Sequence, residues 1–577
     1  MISYDGFYSH TLNRKKEVEE YIMRKNIWST DAAELAANPF IFELARQAGP
    51  IGTSESWGKN YKMYGEAALE YDRSFGRHQV TGLVLGNFQK YYLPSLAYGL
   101  PSGYLGIVSR ITYNYEHKYL AEINAGYNGS ENFPAEKRFG FFPAFSMGWA
   151  ASEEDFFPKN NIFTYAKLRA SYGEVGNDIA KLYDKDGKLV TYRYLYRQSV
   201  FGTSGNYLFG EDVAVGKPGT ASGYVQQAIG NPNVGWERAR KTNIGLETKF
   251  FKNKISLILD GFTEYRDNIL WKREDQTVLV QANLQPTNIG IVSNKGIEIE
   301  LGFEDSYKDF RYGIKGNFSY SKNNIVYKSE APVPFSNLSQ TGNSVGQFKG
   351  LIFEGFYNTI DEINDPARPK SAWEGTNLQP GDMKYKDIAG DPITGGPDGK
   401  INDNDYTNIG YTPFPDITYG VNLNTSYKGI EFSVLFQGVS NVSTYFNGSA
   451  AYPFYSGFRT AFTWHTERWT EERYNNGDVI SYPRLSTSAS PTGHNYRMST
   501  FWLQDASYLR IKNIELAYRF KKVNLGIIGF NSLRLFINAN NLFTFTNMRY
   551  FDPEAPSGSG TFYPQMRVFN GGLSVQF

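Results

Sequence analysis

No cysteine occurs among the 577 residues, so a disulfide framework, a Cys-ligated zinc or iron–sulfur site and thiol catalysis are all excluded. An excess of one charge is lacking too. The 59 Lys and Arg stand against 58 Asp and Glu, which leaves no basic field for nucleic acid and no acidic field for cationic partners. The five histidines, His10, His78, His117, His465 and His494, are scattered, with neither HExxH spacing nor a triad order. No apolar run approaches the roughly 18–20 residues of a spanning helix. Mean hydropathy is −0.46. The stretch from Met1 to Thr30 contains no apolar h-region and no small-residue cleavage site, so no export signal is visible in it.

Aromatic residues, in contrast, are abundant: 43 Tyr, 42 Phe and 9 Trp, far too many for a disordered chain. Lys15 to Gly49 carries helix-like spacing (Val18, Tyr21, Ile22, then Leu35, Phe40, Leu44) and ends in Gly-Pro, which predicts one or two short surface helices. From about residue 62 the period changes to two, in about fifteen segments of roughly 10–14 residues, the length of tilted bilayer spans. In DITYGVNLNTSY, Ile417, Tyr419, Val421, Leu423 and Tyr427 share one face, and Thr418, Gly420, Asn422, Asn424 and Ser426 the other. Ile297, Ile299, Leu301 and Phe303 likewise oppose Gly296, Glu298, Glu300 and Gly302. Each segment has one greasy and one wet face.

A soluble sandwich or propeller would also alternate, but the loops discriminate. Connections along the chain are short and long by turns, so all the long ones fall on one side, as in an up-and-down outer-membrane barrel with turns inside and loops outside. Energetics agree, since about fifteen apolar strand faces would form a patch far beyond what a soluble monomer exposes. Tyr113, Tyr115, Tyr265, Trp271, Tyr320 and Tyr427, near strand ends, would form interfacial girdles. The final GGLSVQF places Phe569, Leu573, Val575 and Phe577 on one face of a last strand. The expected fold class is all-β, an antiparallel up-and-down transmembrane β-barrel with long extracellular loops. Residues 1–60 are expected to be an extracellular-loop segment with short helices, and 61–577 the barrel.

Several ordered strings resemble the C-terminal barrel of the SusC/RagA family of TonB-dependent outer-membrane transporters: LRASYGEVGN (168–177), NPNVGWERARKTNIGLE (231–247), NIGIVSNKGIEIEL (288–301), DGKINDNDYTNIG (398–410), DASYLRIKNIELAYRF (505–520) and LRLFINANNLFTFTN (533–547). The resemblance spans about residue 60 to the end. It implies a 22-stranded barrel of which this chain holds about fifteen strands, a plug domain, a TonB box and a signal peptide. It also implies a SusD-like surface lipoprotein as lid, with TonB pulling on the plug, and places the protein in the outer membrane of a Bacteroidota-type Gram-negative cell. The plug and signal are not found in this chain, which reads as an N-terminal truncation or gene fragment. Parity sets an odd number of strands ahead of the inward-running one near Tyr61 to Arg73, and seven would complete 22. An open sheet would leave two unpaired edges in hydrocarbon, so the chain alone is expected neither to close nor to transport.

Sites are fewer. GNSVG (342–346) satisfies G-x-S-x-G but lacks the strand–turn–helix context of a nucleophile elbow and its acid and His partners, so no enzyme activity is expected. In KDIAGDPITGGPDGKINDND, Asp398, Lys400 through its carbonyl, and Asp405 match the later positions of an EF-hand-like calcium loop, with Asp387 or Asp391 substituting for the earlier ones; the alternative is a solvated turn. Trp464, Trp469, Tyr452, Tyr455 and Phe458 cluster in one long loop with Phe454 and are candidates for stacking on a glycan or gripping an oligopeptide, against loop-on-loop packing. The leading function is nutrient import. A non-transporting surface adhesin or structural barrel, or an inactive remnant, is the alternative.

Overall fold

The computed structural model describes residues 1–16, 18–25, 31–37, 39–93, 100–158, 160–183, 189–197, 201–209, 219–226, 228–275, 283–375, 378–455, 460–486, 493–525, 528–555 and 558–576. Among these, sixteen strands form one sheet in which each pairs with its neighbours in chain order. They are β1 (Ile2–Lys15), β2 (Gly52–Phe75), β3 (His78–Tyr92), β4 (Ser102–Tyr115), β5 (Tyr119–Ser130), β6 (Phe139–Trp149), β7 (Phe163–Asn177) and β8 (Glu237–Phe250), followed by β9 (Ile255–Trp271), β10 (Thr287–Tyr307), β11 (Phe310–Tyr327), β12 (Ile417–Tyr427), β13 (Ile430–Ser440), β14 (Tyr508–Leu525), β15 (Ile528–Thr546) and β16 (Val568–Gln576). All pairings in this sheet are antiparallel, and β1 and β16 are its two edges.

The connections keep strict parity. On one side lie 16–51, 93–101, 131–138, 178–236, 272–286, 328–416, 441–507 and 547–567; on the other lie turns such as 76–77, 116–118, 308–309 and 428–429. Lys428 and Gly429 make a two-residue hairpin with both φ positive, +46° and +93°, the form whose twist suits its flanking strands. Around Lys521 to Asn531 the chain is mostly strand, since β14 runs to Leu525 and β15 starts at Ile528.

Register converts period two into two continuous surfaces. Leu168, Leu246, Leu259, Ile299, Phe318 and Tyr419 are successive cross-strand partners on the outer face. Nearer the short turns, Phe303, Ile314, Leu423, Val434, Ile514, Ala539 and Phe569 form a second such row. On β10 the outward apolar positions lie between Lys295 and Asp305. At about 3.4 Å per residue and a tilt of about 40°, that stretch is about 26 Å tall, the height of the hydrocarbon band such barrels present. Tyr113, Tyr427, Phe310 and Tyr307 are exposed along its lower edge, and Tyr172 and Tyr265 along its upper edge. Lipid occupies the place that a second layer would take in a soluble sheet.

The first sixty residues depart from expectation. Ile2–Lys15 is not loop but β1, hydrogen-bonded to β2 from Ile2↔Gly65 to Lys15↔Gly52. β2 itself begins at Gly52, nine residues before Tyr61. The helix-like spacing over Lys15 to Gly49 yields a hairpin, Glu20–Lys25 with Phe40–Arg46, and one short helix, Ala32–Ala37. The physical reason is that β2 extends beyond the apolar band, where alternation is between polar residues and carries no hydrophobic signal. Among the described residues the sheet therefore has sixteen strands, β1 being one more than the about fifteen expected.

Ile299 lies midway between Lys295 and Asp305, so Ile299→Arg is expected to cost about 2–4 kcal/mol of folding stability in a bilayer. Ser319→Arg, facing the other way in the adjacent row, should cost little. Urea titration of both variants in phospholipid vesicles checks the difference, and equal losses would count against the assignment of faces.

Candidate functional site: a charged inner wall under a packed loop roof

The inner face carries charges of alternating sign. Arg169 reaches across β8 to Asp260 at 2.6 Å and contacts Glu247 at 3.0 Å. The strand between them offers Gly245, where a β-carbon would lie 2.6 Å from Asp260 Oδ1 and 2.7 Å from Arg169 Nε, so glycine is what lets the ion pair pass over. Lys241 and Arg266 share Glu264 at 3.2 and 2.8 Å. Farther round, Arg519 and Arg534 are direct cross-strand partners and divide the two oxygens of Glu431, each at 2.7 Å. Such half-exposed pairs contribute little stability, and their effect is to keep the wall wet and close to neutral. Two troughs, of about 530 and 900 Å³, line this wall, one around Lys167, Arg169 and Asn243, the other around Lys315, Glu431 and Arg534.

The largest buried apolar cluster lies not on the sheet but in the loops. Leu351, Met383, Tyr385 and Ile401 from 328–416 pack with Phe446, Tyr452, Tyr482, Tyr496 and Trp502 from 441–507. Polar groups lock the two loops together. Asp382, 3% exposed, receives Arg484 at 2.7 and 3.2 Å and Asn495 Nδ2 at 2.7 Å, while Asn495 Oδ1 accepts from the Met383 amide at 2.9 Å. A third loop, 547–567, is fastened to the sheet by Arg510. This side chain is fully buried, donates to both Asp552 oxygens at 2.7 and 2.6 Å, and also binds Glu554 and Gln565. The long loops at this end of the sheet therefore share a packed core of their own.

Residues 52–348, just over half the chain, match the family described as "TonB dependent receptor-like, beta-barrel". The chain belongs to this TonB-dependent receptor family. It is 26% identical to TonB-dependent receptor P3 of Formosa agariphila, over 91% of this chain and 52% of the relative, and 25% identical to TonB-dependent receptor SusC of Bacteroides thetaiotaomicron, over 83% and 44%. It thus spans about half the length of the curated relatives it matches. In fold it resembles the RagAB peptide transporter structure, with a TM-score of 0.68 at 19% identity, covering 91% of this chain and 56% of that one. The family is one of receptors and transporters in the outer membrane, which agrees with the apolar exterior and loop parity.

In this TonB-dependent receptor barrel the five aromatic candidates do not form one exposed platform. Tyr452 is 1% exposed, its ring 4.5 Å from that of Tyr496 and 5.1 Å from that of Trp502, so it cannot stack on a ligand. That assignment is corrected: Tyr452 belongs to the loop core. Trp464 is stacked between Phe462 and Tyr550 at 4.6 and 4.8 Å, with its indole N–H donating to the Ala450 carbonyl. Trp469 donates to Asn358 Oδ1 at 3.1 Å across the two loops. Tyr455 packs half-buried against the same core. Phe458 lies outside the described residues.

The acidic loop turns its carboxylates onto backbone amides. Asp405, 0% exposed, accepts from Ile388 at 2.8 Å, Ala389 at 3.1 Å and Asn402 at 2.8 Å. Asp387 accepts from Gly399 at 2.7 Å, Asp391 from Ile393 at 2.7 Å, and Asp398 from Lys400 at 2.9 Å. Burial, reinforced by the neighbouring Asp405 and Asp398 carboxylates, raises the Asp387 pKa above its ordinary value, while amide donors lower that of Asp391. Among the described residues no group of three or more His, Asp or Glu stands ready to hold a metal ion. The side-chain oxygens of Asp387, Asp391, Asp398 and Asp405, which the calcium expectation grouped with the Lys400 carbonyl, accept from amides of the loop itself. Ser344 of GNSVG donates to the Asn323 carbonyl at 2.9 Å within a turn, not at a strand-to-helix elbow.

Sequence reasoning missed the buried His465 and the half-buried His494. His465, 2% exposed, accepts from the Phe462 amide through Nδ1 at 2.9 Å and points Nε2 at the Ala451 carbonyl at 3.3 Å, which fixes a neutral ring protonated on Nε2. Burial takes its pKa down to about 4. His494, between Ser371 Oγ and the Met383 carbonyl, is lowered for the same reason.

Two outcomes follow for the roof. As pH falls from about 6.5 to about 4 the unfolded loops take up protons that the folded ones refuse, so the loop domain should lose on the order of 3 kcal/mol through His465, with His494 acting in the same direction. Amide exchange protection in 441–507 measured across that range should decline in the native chain and decline less in His465→Gln. Separately, Arg510→Met strands Asp552 and Glu554 without their cation, with a cost of about 3 kcal/mol, and should make 547–567 the first site of limited proteolysis.

Proposed function

We propose that this chain is the barrel wall and loop roof of an outer-membrane TonB-dependent nutrient importer of the SusC/RagA kind. It would take up oligopeptides or glycans together with a SusD-like surface lipoprotein, with TonB acting through the part of the whole protein that lies outside this chain. The observation that carries the reading is the pairing of a hydrated, nearly neutral inner wall with a roof that packs as a domain of its own. A conduit needs the first so that polar cargo meets no desolvated charge, and an entrance needs the second so that the mouth has a defined shape. The likeness to the RagAB peptide transporter in fold and to TonB-dependent receptors in sequence supports the same reading.

The adhesin alternative is less favoured because the loop aromatics that would present a sticky surface are engaged in ring-to-ring packing inside the roof.

Cells carrying the whole protein that contains this chain are expected to accumulate a labelled oligopeptide or oligosaccharide only when TonB is present and the inner membrane is energised. Arg169→Ala with Asp260→Ala, which strips one charge of each sign from the wall, should alter uptake several-fold without changing the amount of protein in the outer membrane. Surface binding of the label with no TonB-dependent accumulation would instead support the adhesin.

A further inference from the structure

The outer face holds a pair of cations that the sheet itself does not neutralise. Lys295 on β10 and Lys322 on β11 are direct cross-strand partners, both exposed, and both on the face that carries Ile297, Ile299 and Tyr320. Like charges directly opposite each other destabilise a sheet. The inner face shows how this protein treats such a pair elsewhere, since Arg519 opposite Arg534 is bridged by one carboxylate, Glu431, at 2.7 Å to each. Among the described residues neither lysine makes an ion pair. The acid whose field reaches Lys322 is Asp416, half-buried just before β12. The next carboxylates on that face, Glu174 and Asp267, are engaged by Arg238 and Arg240 at 3.2 and 2.8 Å.

Position says what completes the pair. The lysines sit one step above the apolar row Ile244, Gly261, Ile297 and Tyr320, on the side of the long loops, where the hydrocarbon of the outer leaflet ends and its headgroups begin. Beside Lys295 in the same row are the exposed Thr263 and Thr242, then Tyr172. Two ammonium groups on adjacent strands, flanked by hydroxyls at headgroup height, form a cradle for a phosphate carried on a lipid. We propose that Lys295 and Lys322 bind the phosphate headgroup of an anionic lipid of the outer leaflet. The inference depends on which face meets lipid and not on what is imported.

The test uses the full chain in neutral detergent micelles, titrated with dioleoyl phosphatidic acid or dioleoyl phosphatidylcholine and read by native mass spectrometry. One phosphatidic acid should be retained, and an excess of inorganic phosphate should not displace it. Lys295→Gln with Lys322→Gln should weaken retention tenfold or more, the double Arg variant should keep it, and Lys308→Gln, a cation at the opposite end of β10, should leave it unchanged. Because folding of a variant could confound binding, the melting temperature gives a second readout. In phosphatidylcholine Lys322→Gln should melt above the native chain, since one of two repelling charges is gone, and phosphatidic acid should close that gap. Equal retention by the native and double Gln chains, equal retention of the two lipids, or a melting difference indifferent to the lipid would each overturn the proposal.

Discussion

A polypeptide in hydrocarbon must satisfy every backbone amide and carbonyl from within, and this requirement shapes the rest of the molecule. Water cannot serve as a partner there, and each unmet group costs several kcal/mol, so a sheet is viable only as a ladder of neighbours. The strands from β2 to β15 obey it in the simplest topology, each bonded to the strand before and after it in sequence, with β1 and β16 as the two edges. Once that order is set, the side chains are divided by parity alone. Odd positions of β10 meet lipid and even positions meet water, which is why Ile299 and Glu298 can be neighbours in sequence without conflict. Period two does the work that a hydrophobic core does in a soluble fold.

Legibility followed the same rule. The strands between Tyr61 and the end could be read because apolar and polar residues alternate wherever lipid lies on one side, and the parity of the loops could be read because turns and loops differ in length. β1 and the outer part of β2 could not, because they stand beyond the hydrocarbon, where water bathes both faces and alternation has nothing to report. The loop domain was opaque for a different reason. Its core is assembled from Leu351, Tyr452 and Trp502, residues far apart in sequence with no shared period, so composition announced aromatics without saying whether they faced a ligand or one another. The acidic loop shows the limit of spacing. Asp405 stands at the position expected of a calcium ligand, yet its two oxygens are occupied by three amides of its own turn. Spacing brings oxygens together but does not say which way they turn.

Buried charge marks the joints between the two parts. Arg510 starts in the sheet and ends among the acids of 547–567, and Asp382 ties the two great loops to each other through Arg484 and Asn495. Neither group is stabilising merely for being ionic, since desolvation consumes much of the attraction. What they add is uniqueness, because an arginine with three partners on one loop fits only one placement of the loop that supplies them.

The wall and the roof are consequently held by different physics, and this bears on how a conduit can move. The wall draws its stability from a continuous ladder and from lipid, neither of which can be given up locally. The roof draws its stability from ring packing, a few buried charges and two neutral histidines, all of which can be exchanged in small steps. Motions that admit cargo must come from the part with the lower cost of rearrangement, since low-stability elements are those that open first. A wall and roof built this way need no flexible barrel for such motions, because the adjustable structure stands on the water side, above a frame that the membrane keeps rigid.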